Sequence, residues 1–155
     1  MADTHTVLCE TDLLLELVGL KQKCLEQLRV LGGRQLELIE IQDMTQLLHV
    51  LAAKHHLLAE LQQLERRLDP FRGQDPRARR WRTQELHERC ARLIAASEQL
   101  FREVLEQERV AETSLRRHRD EAAARLHGAQ LASHARGAYL PQTPHSGRLD
   151  VSSER

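Results

Sequence analysis

Leucines recur at intervals of three and four residues along most of the chain, and this spacing restricts the possible folds more than any other feature. The first run comprises Leu13, Leu17, Leu20, Cys24, Leu28 and Leu31. Residues at these intervals share one face of an α-helix, which has about 3.6 residues per turn. Aromatic residues make up only 3% of the 155 residues, so helices lying side by side are the simplest way to bury this leucine. The sequence therefore predicts an all-α protein.

The first helix is predicted over about residues 11–41, with Thr11 or Asp12 as its N-cap. The pair Gly32-Gly33 interrupts its apolar stripe, which resumes at Leu36. A glycine pair inside a helix costs about 1–2 kcal/mol relative to alanine. We therefore expect a continuous helix with a kink at the glycines, in preference to two separate helices.

A helix boundary is predicted inside the segment IEIQDMTQLLHVLAAK, residues Ile39–Lys54. Asp43 can accept a hydrogen bond from an amide of the first turn, and Gln46 can reach back to complete a capping box. A second helix then follows over about residues 43–68. We expect one face of it to carry four leucines: Leu47, Leu51, Leu58 and Leu61.

The second helix should end near Leu68, because Pro70 disfavours helical geometry at Asp69. Since only Gln42 separates the first two helices, they are expected to form an antiparallel hairpin. Residues 69–82 would then be a connector, in which Asp75 and Pro76 can start a short turn of helix.

The third helix is predicted over about residues 83–136, with Thr83 as its N-cap, and it is the longest. Its seam is regular as far as Val104 and then becomes smaller and more polar. At about 80 Å against about 45 Å for the first helix, it would overhang the hairpin. The predicted architecture is a three-helix antiparallel bundle or coiled coil with an overhanging C-terminal helix. Residues 1–136 would form a single helical domain, followed by a flexible tail over residues 137–155.

Composition argues against several classes of function. The chain has 23 basic and 23 acidic residues, so no overall field directs it to nucleic acid or to a membrane. We find no segment like a signal peptide and no apolar run near the roughly 20 residues needed to cross a bilayer. The three cysteines have no CxxC spacing, which favours a reducing compartment, and we expect a cytoplasmic protein.

Catalytic and metal-binding patterns are missing from the sequence. His49 and His56 share a helical face, but no second pair of ligands accompanies them. Cys24 and Cys90 lie on the apolar stripes, where a thiol behaves as a small hydrophobic group. We therefore expect no catalytic residue, no metal, no cofactor and no small-molecule substrate.

The arginine-rich segment RARRWR, residues Arg77–Arg82, offers an alternative. It could hold a phosphate backbone and stack a base on Trp81, as in a nucleic-acid-binding adaptor. We favour a solvated turn in which the arginines pair with Glu85, Glu88 and neighbouring helices while Trp81 closes the end of the bundle, because the chain is neutral. A generic coiled-coil scaffold is a further alternative.

The thin seam of the third helix predicts binding to another protein. An apolar stripe on a helix that outruns its neighbours is typical of helix-in-groove recognition. A partner helix could then cover the overhang.

The segment Arg34–Leu68 resembles the FlgN-type flagellar export chaperones. These proteins have a helix that ends near an acidic turn residue, followed by a second helix with spaced leucines and an embedded lysine. The matching positions are Asp43, Leu47, Leu51, Lys54, Leu58 and Leu61. The order of elements is also similar: a long helix, a tight turn, a shorter helix, a loop and a very long helix.

The resemblance implies a cytosolic chaperone that binds the C-terminal helices of hook-associated proteins at the hook–filament junction and delivers them to the flagellar type III export gate. It places client binding on the C-terminal part of the last helix. The candidate contacts are Val104, Ala111, Leu115, Ala122, Leu126 and Leu131. By the same resemblance, Tyr139 is the candidate for docking to the export gate.

Overall fold

The computed structural model of the chain describes residues 3–140, and it confirms the all-α class. Helix α1 spans Thr4–Glu40, α2 spans Met44–Arg72 and α3 spans Gln84–Tyr139. A single turn of 3₁₀ helix, Pro76–Ala78, lies in the connector between α2 and α3. Among the described residues, 3–116 belong to one compact unit and 117–140 belong to a second, so α3 contributes to both.

Three clusters of buried side chains run along the unit that ends at Arg116, and residues from all three helices are in or against each of them. The first cluster comprises, in order along the chain, Leu14, Leu17, Val18, Leu68, Phe71 and Cys90. The second comprises Cys24, Leu25, Leu28, Leu100 and Val104, with Leu57, Leu61 and Leu64 of α2 packed against it. The third comprises Leu38, Ile39, Leu47 and Ala111. Residue numbers rise along α1 and α3 but fall along α2, so the chain runs up, down and up through this bundle.

The turn between α1 and α2 has the geometry of a Schellman motif. The backbone N–H of Gln42 donates to the Ile39 carbonyl and that of Asp43 donates to the Leu38 carbonyl, each at 3.1 Å. Gln42 has φ 59°, in the left-handed region. The Asp43 carboxylate caps α2 by accepting from the backbone N–H of Gln46 at 3.1 Å, as predicted. The Asp43 N–H is already satisfied by the Leu38 carbonyl. It therefore does not need the second bond of a capping box, in which it would donate to the Gln46 side chain.

Helix α1 begins at Thr4, earlier than predicted, so neither Thr11 nor Asp12 is its N-cap. Thr11 is buried inside the helix, and its hydroxyl lies 2.9 Å from the Leu8 carbonyl and 3.0 Å from the Arg80 carbonyl. A polar residue that could cap a helix is therefore used to hold the connector against α1.

Helix α2 continues through Pro70 to Arg72, so the predicted end at Leu68 is wrong. Proline removes one backbone hydrogen bond and disturbs the turn before it, but only two helical residues follow Pro70, so the disturbance is confined to the end of the helix. Phe71 is buried at 8% exposure in the first cluster. Burying a phenylalanine side chain contributes about 1.5–3 kcal/mol, which favours keeping the turn that places it there.

The inward face of α2 differs from the predicted one. Leu47 and Leu61 lie in or against the core, but Leu51 is 37% exposed and Leu58 is 44% exposed. Lys54 is buried instead, at 5% exposure. Leucines at several neighbouring positions form a stripe wider than the core needs, so their spacing alone does not show which of them face inward.

Both helix starts predicted in and after the connector are confirmed. The Asp75 carboxylate accepts from the backbone N–H of Arg77 at 2.9 Å, which begins the 3₁₀ turn. The Thr83 hydroxyl accepts from the backbone N–H of Leu86 at 3.2 Å, at the start of α3.

Helix α1 passes through Gly32-Gly33 without a break, as predicted. Gly32 is buried, and the side chain of Gln107 on α3 occupies the space beside it. A Cβ atom at Gly32 would lie 2.8 Å from the Gln107 Cδ, which is too close. Gln107 Nε2 donates to the Arg29 carbonyl at 3.0 Å. Gly32 thus allows a side chain of α3 to reach the backbone of α1.

We expect Gly33→Ala to stabilise the protein and Gly32→Ala to do so less or not at all. An alanine inside a helix gains up to about 1 kcal/mol over glycine, and a Cβ at Gly33 comes no closer than 4.0 Å to Gln107. At Gly32 the same gain is offset because the Gln107 amide is displaced and a hydrogen bond worth about 0.5–1.5 kcal/mol is lost. Urea unfolding followed by circular dichroism measures both. The difference should vanish when Gln107 is replaced by alanine, and equal stabilities in the otherwise unchanged chain would contradict this account.

Candidate protein-binding site

The described part of the second unit, residues 117–140, presents its side chains to solvent. Every residue from Arg119 to Leu140 is exposed. Among the large apolar side chains, Leu126 is 62% exposed, Leu131 is 57% exposed and Tyr139 is 88% exposed. These apolar groups lie on regular α-helix as far as Tyr139, so they are presented at fixed spacing to anything that binds there.

The predicted client contacts divide into two groups. Val104 and Ala111 are buried, at 8% and 2% exposure, in the second and third core clusters. Leu115 is half-buried and packs against the third cluster. These three side chains are occupied within the bundle, so we reassign them from client contacts to bundle packing. Ala122, Leu126 and Leu131 are exposed and stay candidates.

The remaining candidates do not share one face of the helix. Ala122, Leu126 and Ala129 follow one another at intervals of four and three residues, so they form one stripe. Leu131 is five residues beyond Leu126, which places it about 140° around the helix axis. A single partner helix lying along the first stripe would therefore leave Leu131 outside the contact.

Positive charge is in excess along this segment. Residues 117–140 contain four arginines and two acidic residues: Arg117, Arg119, Arg125, Arg136, Asp120 and Glu121. The Arg119 guanidinium lies 3.2 Å from the Asp120 carboxylate, and both are well exposed. Exposed pairs of this kind contribute little to stability, so Arg119 can exchange its partner for an acidic group of a binding protein.

The residue at the end of α1 is tied to α3 just before the second unit begins. The Ser114 hydroxyl donates to the Glu40 carboxylate at 2.5 Å, and Ser114 is buried. This bond lies beside the third core cluster, where Ala111 is also buried. The packing of the bundle therefore extends along α3 as far as Ser114.

A buried polar layer joins all three helices between the second and third core clusters. The Lys54 ammonium of α2 donates to Gln35 Oε1 of α1 at 2.6 Å and forms an ion pair with the Glu108 carboxylate of α3. Gln35 and Lys54 are 3% and 5% exposed, and the side chain of Glu108 is 48% exposed. Burial lowers the pKa of Lys54 below its usual value. The lysine that carries part of the family resemblance thus has a packing role in this chain.

The two buried thiols are poorly suited to nucleophilic chemistry. Burial raises the pKa of Cys24 and of Cys90, so both stay protonated near neutral pH. Cys24 Sγ also donates to the Leu57 carbonyl at 3.3 Å. Both side chains lie in core clusters, where the sequence placed them.

The arginine-rich connector is largely engaged by the protein itself. The Trp81 ring stacks on the His87 ring, with centroids 5.3 Å apart and planes 10° apart, and it packs against the first cluster as predicted. Arg82 Nε lies 2.8 Å from the Asp12 carboxylate on α1. This pair with a neighbouring helix agrees with the prediction, but within residues 3–140 no ion pair joins these arginines to Glu85 or Glu88. Because His87 covers one face of Trp81, stacking on a nucleic-acid base is disfavoured.

The described residues form neither a metal site nor a membrane-spanning helix. No group of three histidine, cysteine or acidic side chains between residues 3 and 140 is arranged to hold a metal ion. In the same part of the chain, none of the helices combines the length and the apolar character needed to cross a bilayer.

The chain matches no protein-family model, no curated protein and no solved structure.

We expect replacement of Lys54 by methionine to lower the free energy of unfolding by about 1–3 kcal/mol, because the buried Gln35 amide loses its partner. Gln35→Leu should cost a similar amount by removing a hydrogen bond from a buried ammonium. The double variant should lose clearly less than the sum, since an apolar pair can replace a buried polar one at little cost. Urea unfolding of the four proteins gives the coupling, and strictly additive losses would contradict a shared layer.

The stability difference between the unchanged protein and Lys54→Met should widen as the pH rises. The pKa of Lys54 is lowered in the folded state, so below 10.5, the usual value, the unfolded chain binds more protons. Stability therefore increases with pH in this window, and the methionine variant lacks that increase. The free energies of unfolding of both proteins, measured from about pH 8 to about pH 10, give this difference. Titrations that the two proteins share cancel in it. A difference that narrows with pH would show that the pKa of Lys54 is raised.

Proposed function

We propose that the protein binds a helix of another protein through residues 117–140 of α3. The observation that carries the proposal is the exposure of Leu126 and Leu131 on regular helix. Covering a leucine side chain contributes about 1.5–3 kcal/mol, so a partner that buries either residue gains substantially. The bundle formed by residues 3–116 would serve as the folded base that presents this segment.

The face that contains Leu126 is the better candidate for the contact. Ala122 and Ala129 lie on either side of Leu126 along the same stripe. Their small side chains let the apolar groups of a second helix pack around the leucine, as in helix-in-groove recognition. The excess of arginine over acidic residues favours an amphipathic partner whose polar flank is acidic.

In its specific form, the proposal is a flagellar type III export chaperone. The clients would be the C-terminal helices of hook-associated proteins at the hook–filament junction, bound in the cytoplasm and delivered to the export gate. This identification rests on the resemblance of Arg34–Leu68 to FlgN-type chaperones. The capped turn at Asp43 and the order of the helices support it. Tyr139 is exposed near the end of α3, where the export gate could contact it.

The test is binding of a purified C-terminal helical segment of a hook–filament junction protein, measured by calorimetry. Leu126→Glu should weaken binding at least about tenfold, because a carboxylate would be forced into the apolar contact. Leu131→Glu is the matched control on another face, and its affinity should stay within about twofold of the unchanged protein. A chain that ends at Arg116 should not bind. Circular dichroism confirms that each variant stays helical.

Three results would overturn parts of this proposal. Equal binding by the chain that ends at Arg116 would remove residues 117–140 from the site. If no junction-protein helix binds the full chain, the flagellar assignment is wrong. If Leu131→Glu is the damaging change and Leu126→Glu is harmless, the contact lies on the other face of the helix.

A further inference from the structure

A cavity of about 340 Å³ lies inside the bundle formed by residues 3–116, between α1, the end of α2 and the first half of α3. Its walls are mostly apolar: Leu14, Val18, Leu68, Phe71, Ile94 and Phe101. This volume is within the range of about 300–1,000 Å³ typical of small-ligand sites. Ile94 and Phe101 are 41% and 47% exposed, so the cavity is open to solvent on their side. A ligand could enter without unfolding the bundle.

Two polar groups on the cavity wall lack hydrogen-bond partners. Ser97 is 4% exposed, and its hydroxyl oxygen is buried without a partner. The Nε atom of Arg79 is also buried without a partner. Both residues line the cavity. Since buried polar groups in folded proteins are nearly always bonded, an acceptor that binds in this apolar cavity would satisfy both groups.

The charge of Arg79 is likewise uncompensated. Its Nη2 atom donates to the Phe71 carbonyl at 2.5 Å, which holds the guanidinium against the cavity wall. Within residues 3–140 no carboxylate lies within 4.0 Å of it. The other two cations on the wall, Lys21 and Arg72, are both paired with Glu65. Arg79 is therefore the cation that can receive an anion.

Positive charge is crowded around the same cavity. Burial lowers the pKa of Lys21, and the neighbouring charge of Arg72 lowers it further, while Glu98 opposes this shift. Three cations and one carboxylate stand on the wall. The electrostatic environment therefore favours an anionic ligand over a neutral one.

We propose that this cavity binds a carboxylate attached to an apolar group. The carboxylate accepts hydrogen bonds from Arg79 Nε and from the Ser97 hydroxyl, and the apolar group packs against Phe71, Ile94 and Phe101. A carboxylate is a planar acceptor that suits a guanidinium, and charge-assisted hydrogen bonds are the strong ones. This site is separate from the segment 117–140, so it does not depend on the function proposed above.

Two sources can supply this chemistry. One is a free fatty acid of roughly ten carbons, a size that suits a cavity of this class. The other is the C-terminal carboxylate of a protein whose last residue is apolar. Both present the same acceptor on the same kind of apolar body, so the probes must differ in their source and in their head group.

The experiment titrates the full chain by calorimetry with four probes. These are decanoate below its micellar concentration, decanol, an acetylated tripeptide that ends in leucine, and the C-terminal amide of that tripeptide. Saturable one-site binding of decanoate identifies a free acid as the ligand class, and binding of the peptide acid identifies a protein C-terminus. In either case the neutral analogue should bind at least about tenfold more weakly, because it cannot form a charge-assisted bond with Arg79. Failure of both acids to bind would overturn the proposal, as would equal affinity of acid and neutral probe.

Matched variants test the two polar groups. Arg79→Gln should weaken binding of the acid about tenfold or more, and Ser97→Ala about threefold to tenfold. Arg80→Gln is the control, because it removes an exposed arginine from the same connector, and affinity should stay within about twofold. Arg79→Lys keeps the charge without the planar guanidinium and should bind with intermediate affinity, which provides a readout if Arg79→Gln fails to fold. Equal weakening by changes at Arg79 and Arg80 would show that general charge, and no built site, attracts the acid.

Discussion

Lys54 is the one charged residue buried among those that the structure describes, and the arrangement of the bundle depends on how its charge is compensated. A buried ammonium without a partner is strongly destabilising, so α1 must supply the Gln35 amide and α3 must supply the Glu108 carboxylate at the same level. The leucine clusters on either side of this layer would tolerate a shift of one helix along another. The polar layer does not, because each of its partners comes from a different helix.

Other polar contacts complement this layer along the bundle. The Thr11 hydroxyl meets the connector, Gln107 reaches the backbone of α1 beside Gly32, and Ser114 bonds to Glu40. Each contact joins α1 to a segment that follows α2, so together they fasten the third helix to the hairpin. Hydrophobic burial provides most of the driving force in a bundle of this kind, and these bonds select one arrangement of the helices over its neighbours.

Each proposed binding site rests on side chains that the described part of the protein leaves unsatisfied, and the two sets differ in kind. In residues 117–140 the unsatisfied feature is apolar, because Leu126 and Leu131 are exposed on helix. In the cavity of the bundle it is polar, because Ser97 and Arg79 present buried donors with no acceptor. Exposed leucines favour a partner that buries surface, whereas unpaired donors favour a ligand that carries an acceptor. The two proposals therefore concern one exposed helical surface for a partner helix and one partly open cavity for a small acidic group.

Local pattern was enough to predict the all-α class, the cap at Asp43, the passage of α1 through Gly32-Gly33 and the packing of Trp81. These features depend on helical periodicity and on groups a few residues apart, which can be read along the chain. The inward face of α2, the burial of Lys54 and the helical turn beyond Pro70 could not be read in this way, because each depends on side chains brought from other helices. The unpaired groups of Ser97 and Arg79 could not be predicted either, because nothing near these residues in the sequence shows that folding leaves them without a partner. Short-range physics specified the helices, and the contacts between helices determined which side chains are used up in packing and which are left to bind.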